Sequence, residues 1–177
     1  MSGYLALAVS VGLLAVLDTW LYVGPLASTI LTGLVWISFI AWGCHFHSGG
    51  GIKGTTTAVA CMTWGAVVGM GAVMLSGHLA GAGILAVPIA VGLGAALICL
   101  SSKVPLLATI PASVYGFASI AGPIILAGKA PEDAIIPTIG SIIIGAVFGY
   151  VSEMVANMLT KKGATSAEAT ADPGHTA

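Results

Sequence analysis

Charge is scarce in this sequence. Only 6% of the 177 residues are charged, arginine is missing altogether, and five lysines against six acidic residues leave a net charge of −1. Soluble domains carry roughly 25% charged residues, so a soluble fold is excluded. The lack of a basic surface excludes nucleic acid as a partner. The remainder is 58% hydrophobic, with a mean hydropathy of +1.08, which indicates an integral membrane protein.

Cysteine is also scarce, and no two cysteines have CxxC spacing. Cys44, Cys61 and Cys99 all lie inside or at the end of apolar runs, so we expect small packing residues instead of a disulfide or metal framework. No nucleophile is paired with a base anywhere in the chain. We therefore expect no enzymatic activity, no metal and no cofactor.

Six long apolar runs make up most of the chain, each near or above the roughly 18 to 20 residues that span a bilayer as a helix. They predict an all-α polytopic protein with one transmembrane domain over residues 1–159, embedded in lipid, and a disordered polar tail over 160–177. The first run lacks a basic start and a cleavage site, so we expect a retained helix. The runs are Gly3 to Val23, Leu26 to Phe46, Thr55 to Ser76, Gly83 to Leu100, Val104 to Ala127 and Ala134 to Leu159.

The lysines predict the orientation. Lys53, Lys103, Lys161 and Lys162 follow the second, fourth and sixth runs, whereas Lys129 alone follows the fifth. Cytoplasmic loops are enriched in lysine and arginine. We therefore predict a multi-pass protein with both termini in the cytoplasm.

The two halves of the chain resemble each other when the sequence is shifted by 80 positions. The repeat units cover about 3–79 and 83–159 and hold three predicted helices each, so the second unit enters the membrane from the opposite side. This 3+3 inverted repeat is typical of transporters with a site between the repeats, although a fusion for packing alone remains open. The matching segments are LALAVSVGLLAVL from Leu5 and LAVPIAVGLGAAL from Leu85, PLASTI from Pro25 and PLLATI from Pro105, and GAVVGM from Gly65 and GAVFGY from Gly145.

Small residues recur four apart at equivalent positions of the third and sixth runs. Such spacing lets helix backbones approach closely in lipid. We therefore predict that these residues form the contact between the third and sixth helices. They are Cys61, Gly65 and Gly69 in the first unit and Ser141, Gly145 and Gly149 in the second.

The stretch WGCHFHSGGGIKGTTT, residues 42 to 57, concentrates polar chemistry. His45 and His47 point apart on a helix, so we expect interfacial imidazoles instead of a metal site. The glycines and Lys53 enter a helix and could contact an anion, although the spacing is not that of a phosphate loop. Thr55, with the two threonines after it, is expected to cap that helix.

Two acids lie within the runs. Asp18 is near the end of the first run and Glu153 is near the end of the sixth. Ionisable groups within spans usually mark a pathway, but both acids are close enough to an interface to reach the headgroups. We therefore treat Asp18, His45, His47, Lys53, Thr55 and Glu153 as pathway candidates.

The loop GGIKG, Gly50 to Gly54, and the segment IPASVYGFASIAG, with Pro111 and Gly116, carry a resemblance. The chain resembles the YcdZ-like domain-of-unknown-function family of bacterial inner-membrane proteins over roughly residues 3 to 157. The resemblance implies the inner membrane as the location. It implies no activity, because the family has no settled role.

The centres of the spans hold only small, hydroxyl-bearing and apolar residues, without the buried charges of a driven transporter. Hydroxyls and kinked backbone near Pro88 and Pro111 can replace water around a neutral solute. We therefore predict a channel or facilitator for a small neutral or weakly charged solute, and a homo-oligomer is one open arrangement. The alternative is a non-transporting membrane assembly or regulatory protein.

Overall fold

The protein is helical throughout its described part. A computed structural model describes residues 2–32 and 34–169, with side chains up to Thr160. It contains 84% helix and, within those residues, no strand. Two short 3-10 segments, Ala80–Leu85 and Pro105–Leu107, precede the fourth and fifth helices. The α-helices are α1 (Gly3–Val23), α2 (Val35–His47), α3 (Gly51–His78), α4 (Ala86–Ser101), α5 (Ile110–Ile125) and α6 (Pro131–Ala169).

Four of the helices are long and apolar enough to span a membrane. They are α1, α3, α4 together with its preceding 3-10 segment, and α6 up to Thr160. The sequence predicts six helices, and all six are present, but the helices in the second and fifth predicted runs are shorter than those runs. Helix α2 has only 13 residues and α5 only 16, fewer than the roughly 20 that cross a bilayer.

Local chemistry explains why α2 begins late. Pro25 has no backbone N–H, and the chain after it makes successive turns instead of a helix. The Thr29 hydroxyl donates to the Leu26 carbonyl, and the Thr32 hydroxyl donates to the Ala27 carbonyl. Threonine side chains that bond to nearby carbonyls compete with helical bonding. Hydropathy alone cannot detect this competition, so the predicted run extends over the turns.

The fifth helix is shortened at the same place in the repeat. Pro105 begins a 3-10 turn, and α5 starts only at Ile110 with Pro111 in its first turn. Pro88 likewise lies in the first turn of α4. Proline is tolerated there because the first N–H groups of a helix lack internal partners. The expected backbone kinks at Pro88 and Pro111 are therefore not present.

The six helices form two packets of three around a central contact between α3 and α6. Helix α3 packs mainly against α5 and α4, whereas α6 packs mainly against α2 and α1. The first group is called the α3 packet below and the second the α6 packet. Exchanging α1 with α4, α2 with α5 and α3 with α6 converts one packet into the other.

Burial follows the same exchange. Most buried positions on the long helices have a buried counterpart 80 positions away, and most of those on the two short helices have one 75 positions away. The buried pairs include Ala6 and Ala86, Asp18 and Ile98, Ala58 and Thr138, Cys61 and Ser141, Ala66 and Ala146, Ser38 and Ser113, and His45 and Ile120.

The small residues of α3 and α6 contact the short helices. A side chain at Gly65 would meet the backbone carbonyl of Ser113 on α5, and one at Gly145 would meet that of Ser38 on α2. The sequence predicts that these glycines join the third helix to the sixth. In the structure, Gly65 contacts α5 and Gly145 contacts α2 instead. The short helices approach because each glycine leaves room for a backbone.

The next small residues along the long helices repeat this arrangement. Gly69 faces the side chain of Ile120 on α5, and Gly149 faces the imidazole of His45 on α2. One short helix thus presents an isoleucine where the other presents a histidine. The two packets share their backbone contacts and differ in chemistry.

Two further sequence predictions differ from the structure. Cys44 and Cys61 are buried, but Cys99 is exposed on the surface of α4 and is not a packing residue. Helix α6 continues to Ala169, so the first ten residues of the predicted tail are helical. The rest of that tail, including His175, lies outside the described residues.

Candidate functional site

Buried polar side chains are concentrated in the α6 packet. Of the nine buried polar or charged residues in the described part of the chain, only Ser113 and Ser119 lie outside it, on α5. The other seven form what we call the polar track along α1, α2 and α6. They are Ser10, Asp18, Ser38, His45, Thr138, Ser141 and Ser152.

His45 forms one end of the polar track. Its side chain is fully buried, with Nδ1 3.1 Å from the Thr55 hydroxyl oxygen and Nε2 3.2 Å from Glu153 Oε2. Both ring nitrogens therefore have a partner. The expectation of an interfacial imidazole is wrong for His45, because Gly54 and Gly149 leave room for this residue inside the packet.

The triple glycine of the loop admits the Glu153 carboxylate to the start of α3. Oε2 of Glu153 accepts a 2.6 Å hydrogen bond from the Gly51 N–H. Gly50 has a φ of 68°, and a side chain there would contact this carboxylate. A helix N-terminus favours a negative charge. The protein's own Glu153 thus occupies the place that the sequence suggested for an external anion.

Of the remaining polar residues of the loop, His47 and Lys53 do not join this site, and Thr55 joins it only through its hydroxyl. His47 is exposed, and its ring contacts the edge of Tyr115. Lys53 is exposed in the first turn of α3. Thr55 is no cap, because α3 begins at Gly51 and the Thr55 hydroxyl donates to the Gly51 carbonyl. Within the described residues, no group of three potential metal-binding side chains converges.

Ser152 precedes Glu153 on α6, and its hydroxyl both accepts and donates a hydrogen bond. Its hydroxyl accepts a 3.0 Å bond from the Trp42 indole N–H and donates to the Gly149 carbonyl at 2.7 Å. The Ser10 hydroxyl donates to the Ser152 carbonyl at 2.7 Å. These bonds connect α1, α2 and α6 at one level. This part of the track is satisfied by the protein alone.

Asp18 lies at the other end of the polar track, where the hydrogen-bonding groups are not satisfied by the described part of the protein. The side chain is fully buried, and neither carboxylate oxygen has a hydrogen-bond partner among the described residues. Tyr22, one helical turn later on the same face, carries an equally unpartnered hydroxyl. Both acids were candidate pathway residues, and only Asp18 is left without a partner.

Hydroxyl groups from two other helices lie beside Asp18 or Tyr22. The Ser38 hydroxyl lies beside both the Asp18 carboxylate and the Tyr22 hydroxyl, and the Ser141 hydroxyl lies beside Tyr22. None of these hydroxyls forms a hydrogen bond of ordinary geometry within the described residues. We call Asp18, Tyr22, Ser38 and Ser141 the Asp18 cluster. It joins α1, α2 and α6 through oxygen atoms only.

Glu153 also reaches the surface. Its side chain is 36% exposed and lines two open depressions of about 410 and 480 Å³ on either side of α6. Asn157 lines both depressions as well. The His45 end of the polar track is therefore in contact with the outside through Glu153, whereas the Asp18 cluster is enclosed.

Sequence reasoning missed several residues of the track. Ser38, Ser152 and Trp42 lie in apolar runs, where a serine or a tryptophan has many ordinary roles. The one available signal was the spacing of Asp18 and Tyr22, which places two polar groups on one face of an apolar helix.

Comparison with known proteins gives a family but no activity. No curated protein matches the chain, and no solved structure matches it. The sequence model of DUF1097, a family described as proteins of unknown function, matches residues 8–157. This match covers most of the polypeptide, and the chain accordingly belongs to the DUF1097 family of proteins of unknown function.

Proposed function

We propose that the protein is a channel or facilitator that conducts a small neutral or weakly charged solute along the polar track of the α6 packet. The proposal places it in a bacterial inner membrane with both termini and the loop at Ser48 in the cytoplasm. The observation that carries it is the fully buried Asp18, whose carboxylate has no partner among the described residues.

The free-energy cost of such an arrangement indicates that it serves a function. Each buried polar group without a hydrogen bond destabilises a fold by about 1 to 3 kcal/mol. In the described part of the chain, three unpartnered polar residues of the α6 packet have buried counterparts in the α3 packet that lack a hydroxyl or a carboxylate, although Thr63, Trp64 and Ser119 of that packet carry unpartnered polar atoms of their own. The three pairs are Asp18 and Ile98, Thr138 and Ala58, and Ser141 and Cys61.

The proposal includes a 3+3 inverted repeat. The repeated burial pattern supports it, as do the equivalent contacts of Gly65 with Ser113 and of Gly145 with Ser38. Unusually short or interrupted helices at corresponding positions of two halves are a pointer to the binding region of transporters. Here α2 and α5 are the short helices, and α2 carries Ser38 and His45 of the polar track.

The described conformation is the closed one under this proposal. Asp18 and Ser38 are fully buried, and α2 lies against α6 at Gly145 and Gly149. A solute reaches the Asp18 cluster only when α2 moves away from α6 or α1. The contact between Glu153 and the start of α3 holds the loop next to α2 in place.

Uptake into proteoliposomes tests the proposed function. Liposomes with the purified protein are tested for swelling in glycerol, urea, acetamide and ammonium salts, against empty liposomes. Ser38→Ala removes a hydroxyl of the polar track, and Ser113→Ala removes its counterpart in α5, which is equally buried. We expect Ser38→Ala to reduce uptake and Ser113→Ala to leave it unchanged. Swelling no faster than that of empty liposomes for every solute contradicts the proposal.

A second candidate is the non-transporting assembly protein, and close packing favours it. The short helices approach the long helices at backbone contact distance, and α4 exposes apolar side chains such as Val87, Val91 and Leu93. In this case α4 binds other helices, including a second copy of the chain. Cross-linking through the exposed Cys99 in native membranes, without any solute uptake, supports this candidate over the first.

A further inference from the structure

The oxygen atoms near Asp18 form a candidate binding site. We propose that the Asp18 cluster binds a compact monovalent cation, ammonium or an alkali-metal ion, inside the α6 packet. This inference goes beyond the proposed function, because a monovalent cation carries a full charge, and it rests on that function only for its transport role. Binding itself can be measured without transport.

The charge of Asp18 is uncompensated within the described residues. Among the described residues, His45 contacts Glu153 and not Asp18, and no lysine lies within ion-pair distance of Asp18. An isolated carboxylate in an apolar interior is strongly unfavourable unless it is paired or neutralised. A bound cation supplies the missing charge.

The surrounding atoms match a cation and not an anion. The carboxylate oxygens of Asp18 and the hydroxyl oxygens of Tyr22, Ser38 and Ser141 all carry free acceptor positions. No described nitrogen donor bonds to the carboxylate. Alkali-metal ions take oxygen ligands, and ammonium donates four hydrogen bonds to the same kind of acceptor. Ammonium and alkali-metal ions are therefore recognised by the same kind of oxygen atoms.

The cluster also restricts charge and size. One carboxylate balances one positive charge, whereas calcium sites in proteins commonly combine several carboxylates. Asp18, Ser38 and Ser141 each have 0% exposure, and Tyr22 has 3%. Burial as complete as this excludes bulky organic cations. Choline, which carries the same charge but is too large, is therefore a matched negative control.

Comparison with the α3 packet shows that packing does not require the acid. Ile98 occupies the buried position that corresponds to Asp18, on a helix with the same pattern of burial. A competing explanation is a protonated Asp18 that donates to the Ser38 hydroxyl and binds nothing. The two explanations differ in whether small cations stabilise the protein.

Thermal unfolding of the purified full-length protein in detergent tests the site. The melting temperature is followed during titration with ammonium, sodium or potassium chloride, with choline chloride holding the ionic strength constant. We expect a saturable rise with at least one small cation, and the half-saturation concentrations distinguish ammonium from the metal ions. Asp18→Asn and Ser38→Ala are compared with Asp133→Asn, which removes an exposed acid at the start of α6.

Loss of a charge-assisted interaction weakens binding by about tenfold to a hundredfold, so we expect Asp18→Asn to shift half-saturation by at least that factor. Ser38→Ala should shift it less, and Asp133→Asn should not change it.

An identical melting temperature in all four salts overturns the site, as does an unchanged half-saturation in Asp18→Asn. If Asp18→Asn does not fold, the wild-type titration and Ser38→Ala decide. Uptake without cation binding refutes this site alone, whereas binding without uptake refutes the proposed transport alone.

Discussion

His45 and Glu153 are 108 positions apart in the chain, and their side chains lie 3.2 Å from each other. The same carboxylate oxygen of Glu153 accepts the Gly51 N–H at the start of α3. A single acidic side chain of α6 thus joins the end of α2 to the beginning of α3. The conformation of the loop between these helices depends on it.

Removal of this carboxylate should destabilise the fold. Glu153→Ala leaves the His45 ring nitrogen and the Gly51 N–H without their partner, and each loss costs about 1 to 2 kcal/mol. We expect the free energy of unfolding in mixed micelles to fall by about 2 kcal/mol, at the low end of the sum, because water reaches the partly exposed Glu153 site. Glu132→Ala, at an exposed acid in the first turn of α6, is the control. Equal stability of the two variants would show that the Glu153 contacts contribute little.

Gly50 is restricted by both its backbone and its contact with Glu153. Gly49 and Gly50 both have positive φ, and the ψ of −172° at Gly50 lies in a region that is essentially restricted to glycine. A side chain at Gly50 also approaches the Glu153 carboxylate within 2.9 Å, whereas one at Gly49 meets nothing. We therefore expect Gly50→Ala to lower the melting temperature more than Gly49→Ala. A larger effect at Gly49 would contradict the described position of Glu153.

The close approach of α2 to α6 depends on Gly145. Gly145→Ala places a methyl group against the Ser38 backbone, and such overpacking costs about 1 to 3 kcal/mol. Gly12→Ala, on the exposed side of α1, meets nothing and is expected to be neutral. Unfolding of both variants in mixed micelles measures the difference. A stable Gly145→Ala protein would mean that α2 can move from α6 without loss of packing.

The proposed orientation is tested by cysteine labelling. Lys129 bonds through Nζ to the Ile30 carbonyl, so the turns before α2 and α6 lie at the same end of the bundle. Ser48, at the end of α2, lies at the opposite end. Single cysteines at Ser48 and Lys129 in a cysteine-free protein should react with an impermeant reagent from opposite sides in intact cells. Reaction from the same side would exclude the inverted repeat.

Long helices and packing positions could be read from the sequence, whereas contacts between distant residues could not. The α1 boundaries, Gly3 and Val23, were predicted because an uninterrupted apolar run has no competing local bonds. The turns before α2 have the same hydropathy as a helix, and only the threonine hydroxyls distinguish them. The partner of His45 was invisible because it lies on another helix. The local sequence pattern predicts which face of a helix a residue occupies, but it does not predict which residue of another helix lies opposite.

Exchange of Asp18 and Ile98 tests whether the acid serves function or packing. Both positions are fully or almost fully buried at corresponding places in the two packets, with 0% and 2% exposure. Asp18→Ile replaces an unpartnered carboxylate by an apolar side chain, so we expect equal or greater stability in choline chloride together with the loss of uptake. Ile98→Asp should destabilise the protein by at least about 2 kcal/mol, because the α3 packet offers a new charge no oxygen cluster. Unfolding in mixed micelles and uptake into proteoliposomes are measured for both variants. Strong destabilisation by Asp18→Ile, at the same level as Ile98→Asp, would make Asp18 a structural residue and remove the main support for the conducting track.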